Sequence, residues 1–219
     1  MELVYSIIGT FSGVCLLLLA AGLSMALRPW PDQPWVAAWV GSYWAEALTL
    51  LALSVPLLMP ALALAPLRVR TFAVLNSGFF LVAGLQAYGW FRMRGSRGVI
   101  LLTVAPMGVY LILFFLLGGE LNARARVLIF STLQALLQGL TALWAFQGLR
   151  RIGSKLGPAI PIVLGLHTLF YLVRGALVLL LPPGDDFALS VAIAMVEGLL
   201  FNFVLAYLQW MVITEGDLG

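Results

Sequence analysis

Residues 158–181 read PAIPIVLGLHTLFYLVRGALVLLL and contain one charged side chain, that of Arg174. About 20 apolar residues cover the hydrocarbon core of a bilayer when they form an α-helix, because each residue advances the helix by about 1.5 Å. Similar stretches recur along the chain, which is 63% hydrophobic and only 10% charged, with a mean hydropathy of +1.06. Soluble domains carry about 25% charged residues. The sequence therefore predicts an all-α, polytopic membrane protein.

Seven such segments are predicted to cross the membrane as one helical bundle. Their approximate bounds are Leu3–Leu27, Trp35–Leu58, Thr71–Phe91, Gly98–Leu117, Arg126–Leu149, Pro158–Leu181 and Phe187–Ile213. Three prolines leave two alternatives for residues 53–70, which either continue the second helix or form an outer loop. Residues 1–213 are thus predicted to form a seven-helix transmembrane domain, followed by a short cytoplasmic tail, residues 214–219.

The basic residues predict the orientation of these helices. Eleven of the twelve are arginines, and all of the twelve except Arg174 lie at the ends of apolar segments rather than in a stripe that could bind phosphates, so no nucleic-acid partner is expected. The turns after the first, third and fifth segments contain seven basic residues: Arg28, Arg92, Arg94, Arg97, Arg150, Arg151 and Lys155. The opposite turns contain four: Arg68, Arg70, Arg124 and Arg126. Because positive residues favour the cytoplasmic side, we expect the amino terminus outside and the carboxyl terminus in the cytoplasm.

Three charged residues fall inside the predicted spans: Glu46, Arg174 and Glu197. A charge at mid-depth costs at least about 2.5 kcal/mol, so each needs a partner or a wet cavity. His167, Tyr171 and Arg174 follow one another at i, i+4 and i+7 and therefore share one stripe of the sixth helix. A short turn joins the last two helices as antiparallel neighbours, so we expect Glu197 to pair with Arg174 or His167. Glu46 reaches a similar depth and is predicted to be a second carboxylate near the same site.

These residues form the predicted ligand-binding site: Glu197, Arg174, His167, Tyr171 and Glu46. Two interpretations stay open, namely a polar cavity that binds a ligand or senses protons, and a polar contact that only holds helices together. Gln134, Gln138 and Asn202 are more typical of such helix contacts. One histidine and one cysteine cannot supply a metal site, and the only lysine lies in a turn. No catalytic residue, metal or other cofactor is expected, and the protein is not predicted to be an enzyme.

Four local segments carry a family resemblance. They are Val74–Gly78 with the basic end Gly89–Gly95, Asn122–Val127, His167–Arg174 and Met195–Phe201. These segments resemble the membrane sensor regions found before diguanylate cyclase (GGDEF) domains in bacteria. The resemblance implies a sensor in the bacterial inner (cytoplasmic) membrane that binds a small-molecule or lipid ligand, or a proton, among membrane lipids. It also implies a signal that passes through the seventh helix to a cytoplasmic diguanylate cyclase domain, in cis or in trans.

The chain departs from that pattern after Trp210, because only nine residues follow and they contain no cyclase signature. The resemblance therefore implies an output domain that either follows Gly219 or belongs to a separate protein. A small membrane transporter or channel is the alternative function, and a structural subunit of a membrane complex is a third. A transporter needs a polar path through the inner half, where the seventh helix offers only Asn202 and Gln209. The small-residue motif Gly9-x-x-x-Gly13 suggests a dimer face and hence a homodimer.

Overall fold

The computed structural model describes residues 2–27, 33–58, 65–95, 101–116, 123–180 and 186–215. Within these ranges the chain forms eight α-helices and no strand, so the all-α prediction is confirmed. The helices are α1 (Glu2–Ala26), α2 (Pro34–Leu58), α3 (Ala65–Asn76), α4 (Gly78–Met93), α5 (Leu101–Leu116), α6 (Ala123–Ile152), α7 (Ala159–Leu180) and α8 (Asp186–Glu215).

Five of these helices, α1, α2, α6, α7 and α8, are long and apolar enough to cross a membrane. The helix α5 is apolar but has 16 residues, which corresponds to about 24 Å at 1.5 Å per residue. The helix α4 also has 16 residues. The chain therefore has the long apolar helices of a multi-pass membrane protein.

The third predicted span, Thr71–Phe91, contains the end of α3 and most of α4. The helices α3 and α4 end and begin on either side of Ser77, whose hydroxyl donates to the Val74 carbonyl oxygen at 2.5 Å. A hydroxyl that bonds the preceding turn competes with the helical hydrogen bonds. Ser77 nevertheless keeps a helical backbone, with φ −62° and ψ −22°, and its N–H donates to the Ala73 oxygen at 3.1 Å. The next residue, Gly78, lets α2 come close, because a Cβ at that position would collide with the Thr49 side chain. The predicted span therefore consists of α3 and α4 in succession, with a helical backbone at Ser77 between them.

Of residues 53–70, the structure describes the two ends. The helix α2 continues through Pro56 to Leu58, and α3 begins at Ala65. Residues 59–64 lie outside the described part of the chain, as do Arg28 and Arg97 from the count of basic residues.

One end of the bundle gathers the helix termini that carry most of the basic residues. Leu27, Met93, Leu149 and Ile213, at the ends of α1, α4, α6 and α8, belong to one buried cluster. The start of α7 joins the same cluster through Ile160. The long helices therefore alternate in direction. This end also holds Arg92, Arg94, Arg150, Arg151 and Lys155, and we call it the basic end.

Polar contacts tie the helix ends together at the basic end. The Arg94 guanidinium donates to the Gln147 side-chain oxygen at 2.7 Å, which links α4 to α6. The Ser154 hydroxyl donates to the Glu215 carboxylate at 2.6 Å, which links the turn after α6 to the end of α8. Arg151 bonds the backbone oxygen of Arg94. Because these contacts connect three different helix ends, the basic end is a defined part of the fold.

One contact between neighbouring helices, the seam between α7 and α8, is weaker than the others around it. The helix α1 packs on α2 and α8, α2 packs on α4, α4 packs on α5 and α6, and α6 packs on α7. The helix α7 contacts α6 far more extensively than α8. Outward side chains such as Leu166, Leu172 and Leu200 are more than half exposed, as expected for surfaces that face lipid. The seam between α7 and α8 therefore opens toward the lipid.

Gly9 and Gly13 form the contact between α1 and α2 within one chain. A Cβ at Gly9 would lie 2.8 Å from the Ser54 hydroxyl oxygen, and one at Gly13 would lie 2.8 Å from Leu51 Cγ and 3.3 Å from the Ala47 backbone oxygen. The predicted dimer face is wrong at this motif, because the two glycines already serve to bring α1 and α2 together.

We expect Gly13→Leu to destabilise the protein by about 1–3 kcal/mol, because the new side chain must displace α2. Gly22→Leu on the same helix is the matched control, since a Cβ there has no neighbour within 4 Å. The measurement is SDS-induced unfolding in mixed micelles. Equal stability of the two variants would contradict the assignment of the motif to the α1–α2 contact.

Candidate functional site

A groove of about 690 Å³ lies between α7 and α8. Eight of its ten lining side chains are apolar or aromatic, and the two polar ones are His167 and Glu197. On its outer rim Leu166 and Leu200 are 61% and 62% exposed. The groove is therefore an apolar space, open toward lipid, with one polar pair in its wall.

The polar pair is a direct contact between the two helices. His167 Nδ1 lies 2.6 Å from Glu197 Oε1, while the His167 side chain is 5% exposed and that of Glu197 is 26% exposed. The Phe201 ring stacks on the imidazole at 3.7 Å between centroids and 6° between planes, and the Tyr171 ring meets the imidazole edge at 4.9 Å. These contacts hold the imidazole in one orientation toward α8.

Helical spacing explains why these side chains meet. Glu197 and Phe201 are four residues apart on α8, so they lie one above the other and contact the same imidazole. His167 and Tyr171 have the same spacing on α7. Of the two partners predicted for Glu197, His167 is the one within hydrogen-bond distance.

Arg174, the third member of the predicted stripe, lies beside α6. Its guanidinium carbon is 5.9 Å from the centre of the Phe130 ring, and the Tyr171 ring is 6.2 Å from that same ring. The stripe therefore continues from the groove toward the α6–α7 contact. Arg174 and Tyr171 do not line the groove itself.

Glu46 belongs to a separate, buried polar contact. Its carboxylate oxygen Oε1 accepts a hydrogen bond of 2.8 Å from Asn202 Nδ2, and both side chains are buried. Asn202 Nδ2 also donates to the Gly198 carbonyl oxygen at 2.6 Å. Asn202 lies five residues beyond Glu197, which is about 7.5 Å along α8. Glu46 is therefore next to the predicted site along α8 but does not line the groove.

A second set of buried hydrogen bonds lies nearer the carboxyl end of α8. Tyr43 Oη donates to Gln209 Oε1 at 2.7 Å, and Gln209 Nε2 donates to Gln86 Oε1 at 2.8 Å. Gln86 Nε2 donates to Ser42 Oγ at 2.6 Å, and Ser42 Oγ donates to the Trp39 carbonyl oxygen at 2.6 Å. We call Tyr43, Gln209, Gln86 and Ser42 the amide chain. It joins α8 to α2 and α4.

Sequence reasoning missed three members of the amide chain: Ser42, Tyr43 and Gln86. The available signal was Gln86, an amide in the middle of an otherwise apolar segment, where a polar group needs a partner. The identity of that partner depends on the relative heights of α2, α4 and α8, and these heights follow from packing rather than from spacing in the sequence.

Gln134 and Gln138 are buried in α6, as predicted for residues at helix contacts, and neither lines the groove. Gln138 Oε1 has no hydrogen-bond partner among the described residues. Among all the residues that the structure describes, no group of three or more histidine, cysteine, aspartate or glutamate side chains could hold a metal ion.

No family model matches the chain, and neither a curated protein nor a solved structure matches it.

Proposed function

We propose that the protein is a membrane-embedded sensor that binds a ligand, lipid or proton at His167 and Glu197 and signals through α8 to a cytoplasmic output domain. The observation that carries this proposal is the contact between His167 and Glu197 in the wall of a groove that opens toward lipid. A polar pair that only holds two helices together is expected to lie in a closely packed contact, whereas His167 and Glu197 border an open, apolar space.

The helix α8 is the element that would transmit the signal. It contributes Glu197 to the groove, Asn202 to the contact with Glu46, and Gln209 to the amide chain. A ligand that binds two arrangements of α7 and α8 with different affinity shifts the balance between them. Because α8 ends at the basic end, its displacement would reach whatever follows it.

The orientation proposed for this function has seven crossings, the amino terminus outside and the basic end in the cytoplasm of a bacterial inner membrane. The alternating directions of the long helices and the basic residues at one end support it. The output domain in this proposal is a diguanylate cyclase, in cis or in trans, as the resemblance of the last helices implies. A homodimer would bring two such domains together and would use a surface other than Gly9 and Gly13.

Fusion of the full chain to a diguanylate cyclase domain tests the sensor function. We expect Glu197→Gln to change cyclic di-GMP production by about fivefold or more, the lower range of couplings between sites in proteins. Leu172→Ala is the matched control, since Leu172 faces outward on α7 and does not line the groove. Equal output from wild type and Glu197→Gln, at equal amounts of folded protein, would overturn the proposal.

A transporter or channel is the second candidate, and the amide chain is the observation that favours it. Ser42, Tyr43 and Gln86 add polar groups to a half of the bundle where Asn202 and Gln209 stood alone in the sequence. Proton flux into proteoliposomes tests this function. Flux that falls in Glu46→Gln and Gln86→Leu would favour a transporter over a sensor, and no flux above that of protein-free liposomes would reject it.

A further inference from the structure

The imidazole of His167 has one ring nitrogen left for a ligand. Nδ1 contacts Glu197, and Nε2 has no hydrogen-bond partner among the described residues. The pair is free of net charge in two protonation states, imidazolium with carboxylate and neutral imidazole with carboxylic acid. In both states Nε2 carries a hydrogen, because Nδ1 either donates to the carboxylate or accepts from the acid. The pair without net charge therefore presents an N–H donor at Nε2.

The groove around this donor selects against ions. An anion would lie beside Glu197, and a cation would lie beside the donor edge of His167. Either one would add a net charge to a space whose other eight lining side chains are apolar or aromatic. A charge in such surroundings costs far more than a hydrogen-bond acceptor without charge. The complementary ligand is thus uncharged and carries an acceptor.

The position of the groove indicates where the ligand comes from. Leu166 and Leu200 at the rim are exposed toward lipid, so the entrance lies in the bilayer. A volume of about 690 Å³ falls within the range of roughly 300–1,000 Å³ typical of small-molecule sites. A molecule that enters here must partition into the membrane.

We propose that the groove binds an uncharged, lipid-soluble carbonyl compound, the chemical class to which alkyl quinones belong. Its carbonyl oxygen accepts the hydrogen of His167 Nε2, and its alkyl chain lies along the apolar wall between Leu166 and Leu200. This inference rests on the proposed function for the location of the site. It adds the class of ligand and the atom that recognises it.

The test uses the full chain in phosphatidylcholine nanodiscs with decylubiquinone labelled with ¹³C at its carbonyl groups. Infrared difference spectra report the carbonyl stretch of the bound quinone, and titration gives the Kd. We expect a carbonyl band at lower frequency than in lipid alone, because the oxygen accepts a hydrogen bond. His167→Phe keeps the stacking on Phe201, removes this shift and weakens binding by about tenfold, the value of one good hydrogen bond.

A second pair of variants tests the groove without changing the polar pair. Leu200→Trp fills the groove from its rim and abolishes binding, whereas Leu172→Trp, on the lipid-facing side of α7, leaves the Kd unchanged. The same affinity in wild type and Leu200→Trp overturns the proposal. Tighter binding of decanoate than of decylubiquinone also overturns it, because the groove would then prefer an anion.

Two combinations of results distinguish the proposed ligand class from the proposed sensor function. Quinone binding that depends on His167, together with unchanged output of the cyclase fusion, supports the ligand class and rejects the sensor function. Output that depends on Glu197, together with no quinone binding, rejects the ligand class and leaves the sensor function standing.

Discussion

We expect His167→Leu to lower the free energy of unfolding by about 1–3 kcal/mol, the cost of a polar group that loses its hydrogen-bond partner. The substitution leaves Glu197 in an apolar wall without the imidazole that contacts it, and its Oε2 has no hydrogen-bond partner among the described residues. The measurement is SDS-induced unfolding in mixed micelles, with helical content followed by circular dichroism.

The double variant His167→Leu/Glu197→Leu is the decisive control. It removes both polar groups, so no carboxylate remains to be accommodated, and we expect most of the lost stability to return. Such recovery would identify the pair as unnecessary for folding and retained for another reason. A double variant less stable than His167→Leu would contradict this account and would favour a purely structural contact.

Gln209→Leu lowers the free energy of unfolding by about 2–4 kcal/mol, because two buried groups lose their partners at once. Tyr43 Oη loses its acceptor, and Gln86 Oε1 loses its donor. In a bilayer the unfolded reference also finds partners, which places the effect in the lower part of this range. Thermal and SDS-induced unfolding of the purified variant measure it.

Gln147→Leu is the matched control for Gln209→Leu. Gln147 also carries an amide on a long helix, but it is half-buried at the basic end, where it accepts from Arg94. We expect its replacement to cost less than about 1 kcal/mol, since the Arg94 guanidinium can be hydrated there. Equal losses of unfolding free energy in the two variants would show that burial does not determine how much the amide chain contributes to stability.

The helices could be predicted because apolar length is a local property. The segments that became α1, α6, α7 and α8 agree with the predicted spans within a few residues, since a bilayer requires about 20 apolar residues wherever they occur. The third span consists of α3 and α4, which meet at Ser77. Hydropathy registers neither the Ser77 hydroxyl, which bonds the preceding turn, nor the close approach of Gly78 to Thr49 on α2.

The candidate site was predictable only in part. The depth of His167 and Glu197 follows from counting residues along two helices joined by a short turn, so their pairing was among the two expected contacts. The position of Arg174 beside Phe130 was not predictable, because it depends on how α7 rotates against α6. Glu46 accepts a hydrogen bond from Asn202 and does not line the groove.

By itself the sequence determined the membrane class, the approximate bounds of the long helices and the positions of Glu46, Arg174 and Glu197 within them, since these depend on composition and spacing along one chain. Only the tertiary structure decided which helices touch. It assigned Gly9 and Gly13 to the contact with α2, joined the amide chain across three helices, and left the seam between α7 and α8 open. Helix rotation and relative height are set by side-chain packing across the whole bundle, and no single segment contains that information.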